Sequence, residues 1–392
     1  MNAYLRVGLI TVICVVAASM LLSYIGQTPQ AFATNNTTFF LSDRDGTLED
    51  YYSEDLGLEL AIRKTISSLS DEELVGQLFM PAWDNSRTLE QMVSLVQRYK
   101  IGGVMTLRKD VSKRDVQRLI DASTRTSTTT MLKGLLSIDA EPSLIKYRLP
   151  QLGTFPNTET LKTETKSYEE SARIAQGISS YGYRLNFAPV LDNGTNVSVI
   201  GNRAFSTDPD QITTLSNVFI NAHQSEGVYA TIKHFPGHGM VSGDTHYQLQ
   251  SVPADLPELE VFNNVIKGDS QPVFLMVGHL AVNDGRYDTA GKPATISQVI
   301  STDLLRNELA YEGIVITDAM NMGALNGFGD VDIQALDAGA DIVLMPRTLG
   351  ASYQNVLSRI QSDPKYRIRI FEKVNRIVRA KLVSQWLDSR SE

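Results

Sequence analysis

Short apolar runs alternate with segments of helical periodicity from about residue 57 to residue 387. The apolar runs, such as Ile101-Gly-Gly-Val-Met-Thr-Leu107 and Gly313-Ile-Val-Ile-Thr-Asp318, are continuous instead of alternating with polar residues. Continuous runs are typical of parallel strands that helices cover on both faces. The predicted strands are 77–83, 101–107, 134–139, 185–192, 229–233, 273–278, 313–318 and 341–345. Eight strands, each followed by a helical segment, predict an α/β protein with a single (β/α)8 TIM-type barrel over residues 57–387.

The N-terminal segment has a different pattern. Arg6 precedes an almost uninterrupted apolar stretch from Val7 to Tyr24, and Ala31-Phe-Ala33 offers a cleavage site. These features predict that residues 1–33 are either a secretory signal peptide or a membrane anchor through residues 7–24. The polar and acidic residues 34–56 predict a tether. In both cases we expect an exported protein that is extracellular, periplasmic or anchored on the outer side of the membrane.

Composition narrows the partners and the chemistry. With 36 Lys and Arg against 44 Asp and Glu, the net charge is −8, which argues against a nucleic-acid partner. The single cysteine, Cys14, lies in the apolar stretch, so a cleaved chain would have no thiol nucleophile and no cysteine-based zinc site. We expect a monomer.

Polar side chains follow the predicted strands where each strand ends. In a barrel these positions converge at the carboxyl ends of the strands, where active sites are built. The residues are Asp139, Asp192, Lys233, His234, His279, Asp318 and Arg347.

A histidine-rich segment follows the fifth predicted strand, in Lys233-His-Phe-Pro-Gly-His-Gly239 and Asp244-Thr-His246. Three of the five histidines lie within these thirteen residues, from 234 to 246, beside a lysine and an aspartate. A single histidine is more often structural, but a cluster at a strand end indicates a functional loop, and its glycines allow tight turns. The spacing matches no zinc pattern, so we predict no metal.

Asp318 ends the seventh predicted strand. Its carboxylate is expected to point into the mouth of the barrel. The alternative is that Asp318 caps the N-terminus of the segment that follows.

Taken together, these motifs resemble glycoside hydrolase family 3, and most of all its single-barrel β-N-acetylhexosaminidase branch, whose members recycle peptidoglycan. The resemblance covers about 57–385. It rests on Lys233-His-Phe-Pro-Gly-His-Gly239, Asp244-Thr-His246 and Ile316-Thr-Asp-Ala-Met320, with support from Val75–Phe79, Asn186–Asp192, Ile200–Pro209 and Pro293–Ser297.

The resemblance implies retaining hydrolysis of terminal β-linked N-acetylglucosamine (GlcNAc) from peptidoglycan-derived or related glycans, with no cofactor. Asp318 would be the nucleophile, His246 the general acid and base, and Asp244 the group that orients His246. By the same resemblance, the residues that contact the sugar would be Asp139, Arg203, Lys233 and His234.

The chain departs from the family pattern after Asp139. The family usually reads Asp-x-Glu-Gly-Gly-Arg, whereas this chain reads Asp139-Ala-Glu-Pro-Ser-Leu144 and offers Arg148 as a replacement for the lost arginine. We expect activity to be retained with an altered preference at the far edge of the sugar or on the aglycone side. Two alternatives stay open: a family-3 β-glucosidase-like enzyme for another sugar, and a non-catalytic protein that binds cell-wall glycans.

Overall fold

The computed structural model describes residues 47–126, 130–283 and 285–391. The predicted signal peptide or anchor, residues 1–33, lies outside the described residues, as does most of the predicted tether. Within the described ranges, no helix has the length and apolar character needed to cross a membrane.

Eight parallel strands are linked in chain order. They are β1 (Phe79–Met80, continued after Pro81 as Ala82–Trp83), β2 (Gly103–Thr106), β3 (Leu135–Ile138), β4 (Leu185–Asn186), β5 (Tyr229–Phe235), β6 (Phe274–Val277), β7 (Ile314–Thr317) and β8 (Val343–Leu344). Neighbours from β1 to β7 pair in that order. Strand β8 pairs with β1 through Phe79 and Val343, and a bridge from Ile342 to Ile316 connects it to β7. The fold is therefore a TIM-barrel-like α/β fold, and the eight predicted strands are confirmed.

Helices surround these strands. They are α1 (Leu56–Ser68), α2 (Asp71–Gly76), α3 (Leu89–Arg98), α4 (Lys113–Ser123), α5 (Ile145–Arg148), α6 (Glu164–Ser179), α7 (Pro209–Gln224), α8 (Leu259–Ile266), a π-helix (Val299–Glu308), α9 (Val331–Ala338), α10 (Leu349–Ser362) and α11 (Pro364–Ser391). Many begin at a capping side chain. In the capping box of α2, Glu73 N donates to Ser70 Oγ and Ser70 N donates to Glu73 Oε2.

The end of the predicted tether is part of the folded domain. Leu48–Tyr52 form a 3₁₀-helix in which Leu48 and Tyr51 are buried, and the hydroxyl of Tyr52 donates to Pro272 O at 2.9 Å. Helix α1 then begins at Leu56. The predicted boundary between tether and barrel at residue 56 therefore differs from the structure. The apolar side chains of this polar segment pack against the barrel, so the folded domain begins earlier.

Helix α11 lies against the amino ends of the strands. The hydroxyl of Tyr229, the first residue of β5, donates to Ala380 O at 2.9 Å. The buried Lys381 donates to Gly102 O, just before β2, at 2.6 Å. The polar residues that follow the strands lie at the opposite, carboxyl ends. The candidate functional site is therefore expected there.

Candidate active site

A buried network of charges joins the end of β3 to the end of β5. Lys233 Nζ lies 2.8 Å from Asp139 Oδ1 and 2.6 Å from Glu141 Oε1. Arg203 binds the same glutamate with two hydrogen bonds, each 2.8 Å long, from Nε and Nη2. The side chain of Glu141 is 1% exposed and that of Asp139 is 14% exposed, so Asp139 is the acid of this network that a ligand can reach.

Electrostatics keep this network charged. Burial alone would raise the pKa of Glu141, but Arg203 and Lys233 outweigh it and hold the pKa far below the usual value. For Lys233, burial lowers the pKa, but Asp139 and Glu141 raise it above its usual value. The positions of the Lys233 ammonium and the Asp139 carboxylate are thus fixed before a ligand arrives.

Arg148, the predicted replacement for the lost arginine, lies beside Asp139. It comes from α5, and its Nη2 is 3.4 Å from Asp139 Oδ2. Its Nε is buried and has no hydrogen-bond partner among the residues the structure describes. A buried donor without a partner is uncommon and is more often found at functional sites, so Arg148 is a candidate sugar-binding residue beside Asp139.

His234 is oriented by Asp192. His234 Nδ1 lies 2.5 Å from Asp192 Oδ2, and the backbone N–H of His234 donates to the same carboxylate at 3.1 and 3.2 Å. Burial acts to raise the pKa of Asp192, but the charge of His234 lowers it below its usual value. The Nε2 atom of His234 therefore remains available to a ligand.

Asp318 directly follows β7 and does not cap a helix. Its backbone N–H donates to Val277 O at 2.9 Å, and its Oδ1 accepts from the neighbouring Ala319 N at 2.7 Å. The next helical turn begins only after Met322, so the capping alternative is wrong. Burial acts to raise the pKa of Asp318, but His234, His279 and the Ala319 N–H lower it below its usual value. The carboxylate is ionised at neutral pH, as a nucleophile requires.

Asp244 and His246 form the predicted pair. His246 Nδ1 lies 2.7 Å from Asp244 Oδ1, which also accepts the backbone N–H of His246 at 2.8 Å. The His246 side chain is 60% exposed. The backbone of this loop is bonded to the turn that follows Asp318, because Gly323 N donates to His246 O at 2.9 Å and Ala324 N donates to Thr245 O at 3.1 Å.

Three acids of the site have no assigned role in the sequence analysis. Glu141 stands two positions after Asp139 in the family motif, and Asp192 is predicted only to end a strand. Glu258, which contacts the histidine-rich loop, is a buried acid that no pattern marks. Hydrogen bonds to distant backbone groups cannot be seen in periodicity.

The described parts of the chain contain no group of three or more His, Cys, Asp or Glu side chains arranged to hold a metal ion. The histidines instead have protein partners. His279 contacts Thr295 Oγ1 at 2.5 Å and Ala319 O at 3.0 Å, and His238 contacts Thr245 Oγ1 at 3.0 Å.

The architecture is that of a barrel enzyme with its chemistry at the carboxyl ends of the strands. The sequence identifies the family. Residues 70–380 match the model of the family described as "Glycosyl hydrolase family 3 N terminal domain". The chain belongs to glycoside hydrolase family 3, and the resemblance stated from its motifs is confirmed.

Similar proteins carry related names. Beta-hexosaminidase A of Pseudoalteromonas piscicida is 29% identical over 284 residues, which is 65% of this chain and 47% of that protein. A family 3 beta-N-acetylglucosaminidase from a Paenibacillus species is 27% identical with a TM-score of 0.72, covering 81% of this chain and 63% of that one. A beta-N-acetylhexosaminidase from Beutenbergia cavernae is 25% identical with a TM-score of 0.72, covering 80% of this chain and 98% of that one. This chain thus spans about half the length of the first relative and nearly all of the third.

Proposed function

We propose that this protein is a retaining exo-β-N-acetylglucosaminidase that removes terminal β-linked GlcNAc from peptidoglycan-derived or related glycans. One observation carries the proposal. The loop with the Asp244–His246 pair is hydrogen-bonded to the turn that directly follows the ionised Asp318. A nucleophile and an acid–base group are therefore attached to the same mouth of the barrel. The names of the similar proteins support the choice of sugar.

In the first step, Asp318 attacks the anomeric carbon while the bond to the leaving oxygen breaks. His246, as an imidazolium, gives its Nε2 proton to that oxygen, and a covalent glycosyl ester of Asp318 forms. Asp244 keeps Nδ1 of His246 occupied as a donor, so the other ring nitrogen carries the transferred proton.

In the second step, neutral His246 takes a proton from water. The resulting oxygen nucleophile attacks the anomeric carbon and releases Asp318 as a carboxylate. Two displacements on one carbon restore the β configuration, so the product is the β-anomer.

Sugar hydroxyls are held by the polar groups around Asp139. In this proposal Asp139 accepts hydrogen bonds from the sugar, whereas Lys233 and Arg148 donate to it, and His234 offers its Nε2. Arg203 donates from Nε and Nη2 to Glu141 and from Nη1 to Val199 O. We therefore assign Arg203 chiefly to holding Glu141 in place. Groups fixed in advance lower the entropic cost of orienting the substrate.

The test compares p-nitrophenyl β-GlcNAc with p-nitrophenyl β-glucoside as substrates of the full chain. We expect rapid release of nitrophenol only from the GlcNAc compound, with β-GlcNAc as the first anomer seen by proton NMR. A preference for the glucoside would instead support the β-glucosidase-like alternative. Saturable GlcNAc binding without turnover would support the glycan-binding alternative.

The location proposed is outside the cytoplasm, through a signal peptide or an anchor at residues 7–24, and the proposed state is a monomer. Fractionation of cells that express the full chain tests the location, and N-terminal sequencing of the recovered protein tests cleavage. Light scattering tests the oligomeric state.

A further inference from the structure

Glu258 is a buried acid at the start of α8 that does not cap its own helix. A side chain at this position commonly accepts a hydrogen bond from the first turn. In the described structure, Glu258 makes no such bond. The residue is 6% exposed, and its carboxylate is directed at two loops of the active-site face.

The carboxylate of Glu258 accepts hydrogen bonds from three backbone N–H groups. Asn193 N, on the segment after β4, lies 2.6 Å from Oε1. Gly239 N lies 3.2 and 3.1 Å from the two oxygens, and Met240 N lies 3.3 Å from Oε2. One side chain thus ties the segment after β4 to the start of the loop that carries Asp244 and His246.

The glycines of this loop make the close approach possible. A Cβ atom on Gly237 would lie 2.6 Å from Glu258 Cβ, and a Cβ atom on Gly239 would lie 1.9 Å from Asn193 O. Both positions therefore need glycine for the backbone to come this near. The local sequence is matched to the contact with Glu258.

Asp192 binds the backbone of the same loop one residue earlier, at His238. Its Oδ1 accepts the backbone N–H of His238 at 2.8 Å, so two acidic side chains bind the consecutive N–H groups of residues 238, 239 and 240. Placing two buried acids so close is costly, because burial and the charge of Asp192 raise the pKa of Glu258 to about 8. Such costs are concentrated at functional sites.

We propose that Glu258 is a positioning residue that fixes the start of the acid–base loop and thereby sets the place of His246. The far end of the loop is fixed independently by the Gly323 and Ala324 N–H groups. Losing Glu258 would release the start of the loop, so only the Thr245 and His246 carbonyl contacts would still hold His246 and its ring would be less firmly placed, while the sugar-binding network stays intact. This inference rests on the proposed function, because it gives His246 the acid–base role.

The test compares Glu258→Gln with Glu260→Gln, an exposed acid on the same helix. Glutamine keeps the shape of the side chain but replaces one oxygen acceptor with an NH₂ group. Because this group faces backbone N–H donors, at least one of the hydrogen bonds to the loop or to Asn193 is lost. For a GlcNAc disaccharide, which has a poor leaving group, we expect E258Q to lower kcat at least about tenfold, with KM changed by less than about twofold. Formation of the glycosyl-enzyme from dinitrophenyl β-GlcNAc, which needs no acid, should stay within about twofold of the wild type. E260Q should match the wild type throughout.

Amide hydrogen exchange gives a readout that does not depend on turnover. Exchange at residues 239–246 should be faster in E258Q and unchanged in E260Q. If E258Q does not fold, Glu258→Asp serves instead, since it keeps the carboxyl group but shortens its reach, and the same changes are expected in weaker form.

An unchanged kcat on the disaccharide, or an equal loss with both leaving groups, would overturn the positioning role. So would unchanged exchange in the loop. Failure of the proposed function looks different, because the wild type itself would then hydrolyse no GlcNAc glycoside.

Discussion

His246 donates a hydrogen bond from its Nδ1–H to Asp244 Oδ1 at 2.7 Å, while its side chain remains 60% exposed. The pair is therefore formed before substrate binds, and the imidazole ring is open to solvent. The backbone carbonyl of His246 accepts from Gly323, five residues after Asp318. His246 and Asp318 are thus connected through a short hydrogen-bonded turn instead of through their side chains.

Replacing Asp244 with Asn should weaken acid catalysis, because the amide cannot stabilise the imidazolium of His246 as a carboxylate does. We expect kcat/KM for a GlcNAc disaccharide to fall about 10²-fold, and more than for dinitrophenyl β-GlcNAc. Steady-state kinetics on both substrates measure this difference. Asp255→Asn, an exposed acid beyond the loop, is the matched control. Equal losses on the two substrates would show that Asp244 does not act through His246.

Asp318→Ala should abolish turnover while leaving the sugar-binding network in place. A missing nucleophile should cost at least about 10³-fold in kcat. GlcNAc binding, measured by calorimetry, should remain within about threefold of the wild type, because Asp139 and Lys233 are untouched. Glu312→Gln, exposed just before β7, should keep full activity. Substantial activity in D318A would remove Asp318 from the nucleophile role.

Glu141→Gln should destabilise the protein, since it leaves Lys233 and Arg203 without their shared buried partner. Removing one member of a buried ion pair costs about 3–5 kcal/mol. The folded pKa of Glu141 is depressed, so its stabilising contribution is present above the ordinary carboxyl pKa and is lost as pH falls below it. Urea unfolding at pH 7 and at pH 4 should show a larger gap between wild type and variant at pH 7. The control is Glu159→Gln, an exposed acid, and a gap that does not shrink in acid would contradict this reasoning.

The barrel could be predicted from the sequence because its strands are continuous apolar runs. The location of the candidate site could be predicted because polar residues follow these runs. Asp244 and His246 form the pair that the motifs implied. The contacts of Lys233 with Asp139 and of His234 with Asp192 were not predicted. The catalytic and binding roles of these residues stay predictions, because no ligand contact tests them.

What the sequence could not reveal depends on contacts between distant segments. Glu258 binds backbone N–H groups of residues far from it in the chain, and such contacts leave no trace in spacing or hydrophobicity. The burial of Leu48 and Tyr51 could not be predicted for the same reason, because a polar and acidic stretch predicts a tether although these two side chains are buried.

Arg148→Ala should weaken sugar binding more than it slows chemistry. Arg148 reaches Asp139 from α5, and its Nε is a buried donor without a partner in the described part of the chain. We expect KM for p-nitrophenyl β-GlcNAc to rise about tenfold while kcat changes less than about threefold. Lys146→Ala, an exposed cation on the same short helix, is the control. A variant with normal KM would show that Arg148 does not replace the arginine that this chain lacks in the family pattern.

Glu258→Gln should also change how stability depends on pH. The folded pKa of Glu258 is about 8, raised from 4.5 by burial and by Asp192. An acid with a raised folded pKa contributes stability that is complete below its unfolded pKa and is lost as pH rises through the folded value. Wild type should therefore lose stability relative to E258Q between about pH 5 and pH 8, by up to about 1.4 kcal/mol per pH unit. Urea unfolding across this range measures the difference, with E260Q as the control. A constant difference between wild type and E258Q would mean that Glu258 keeps an ordinary pKa in the folded protein.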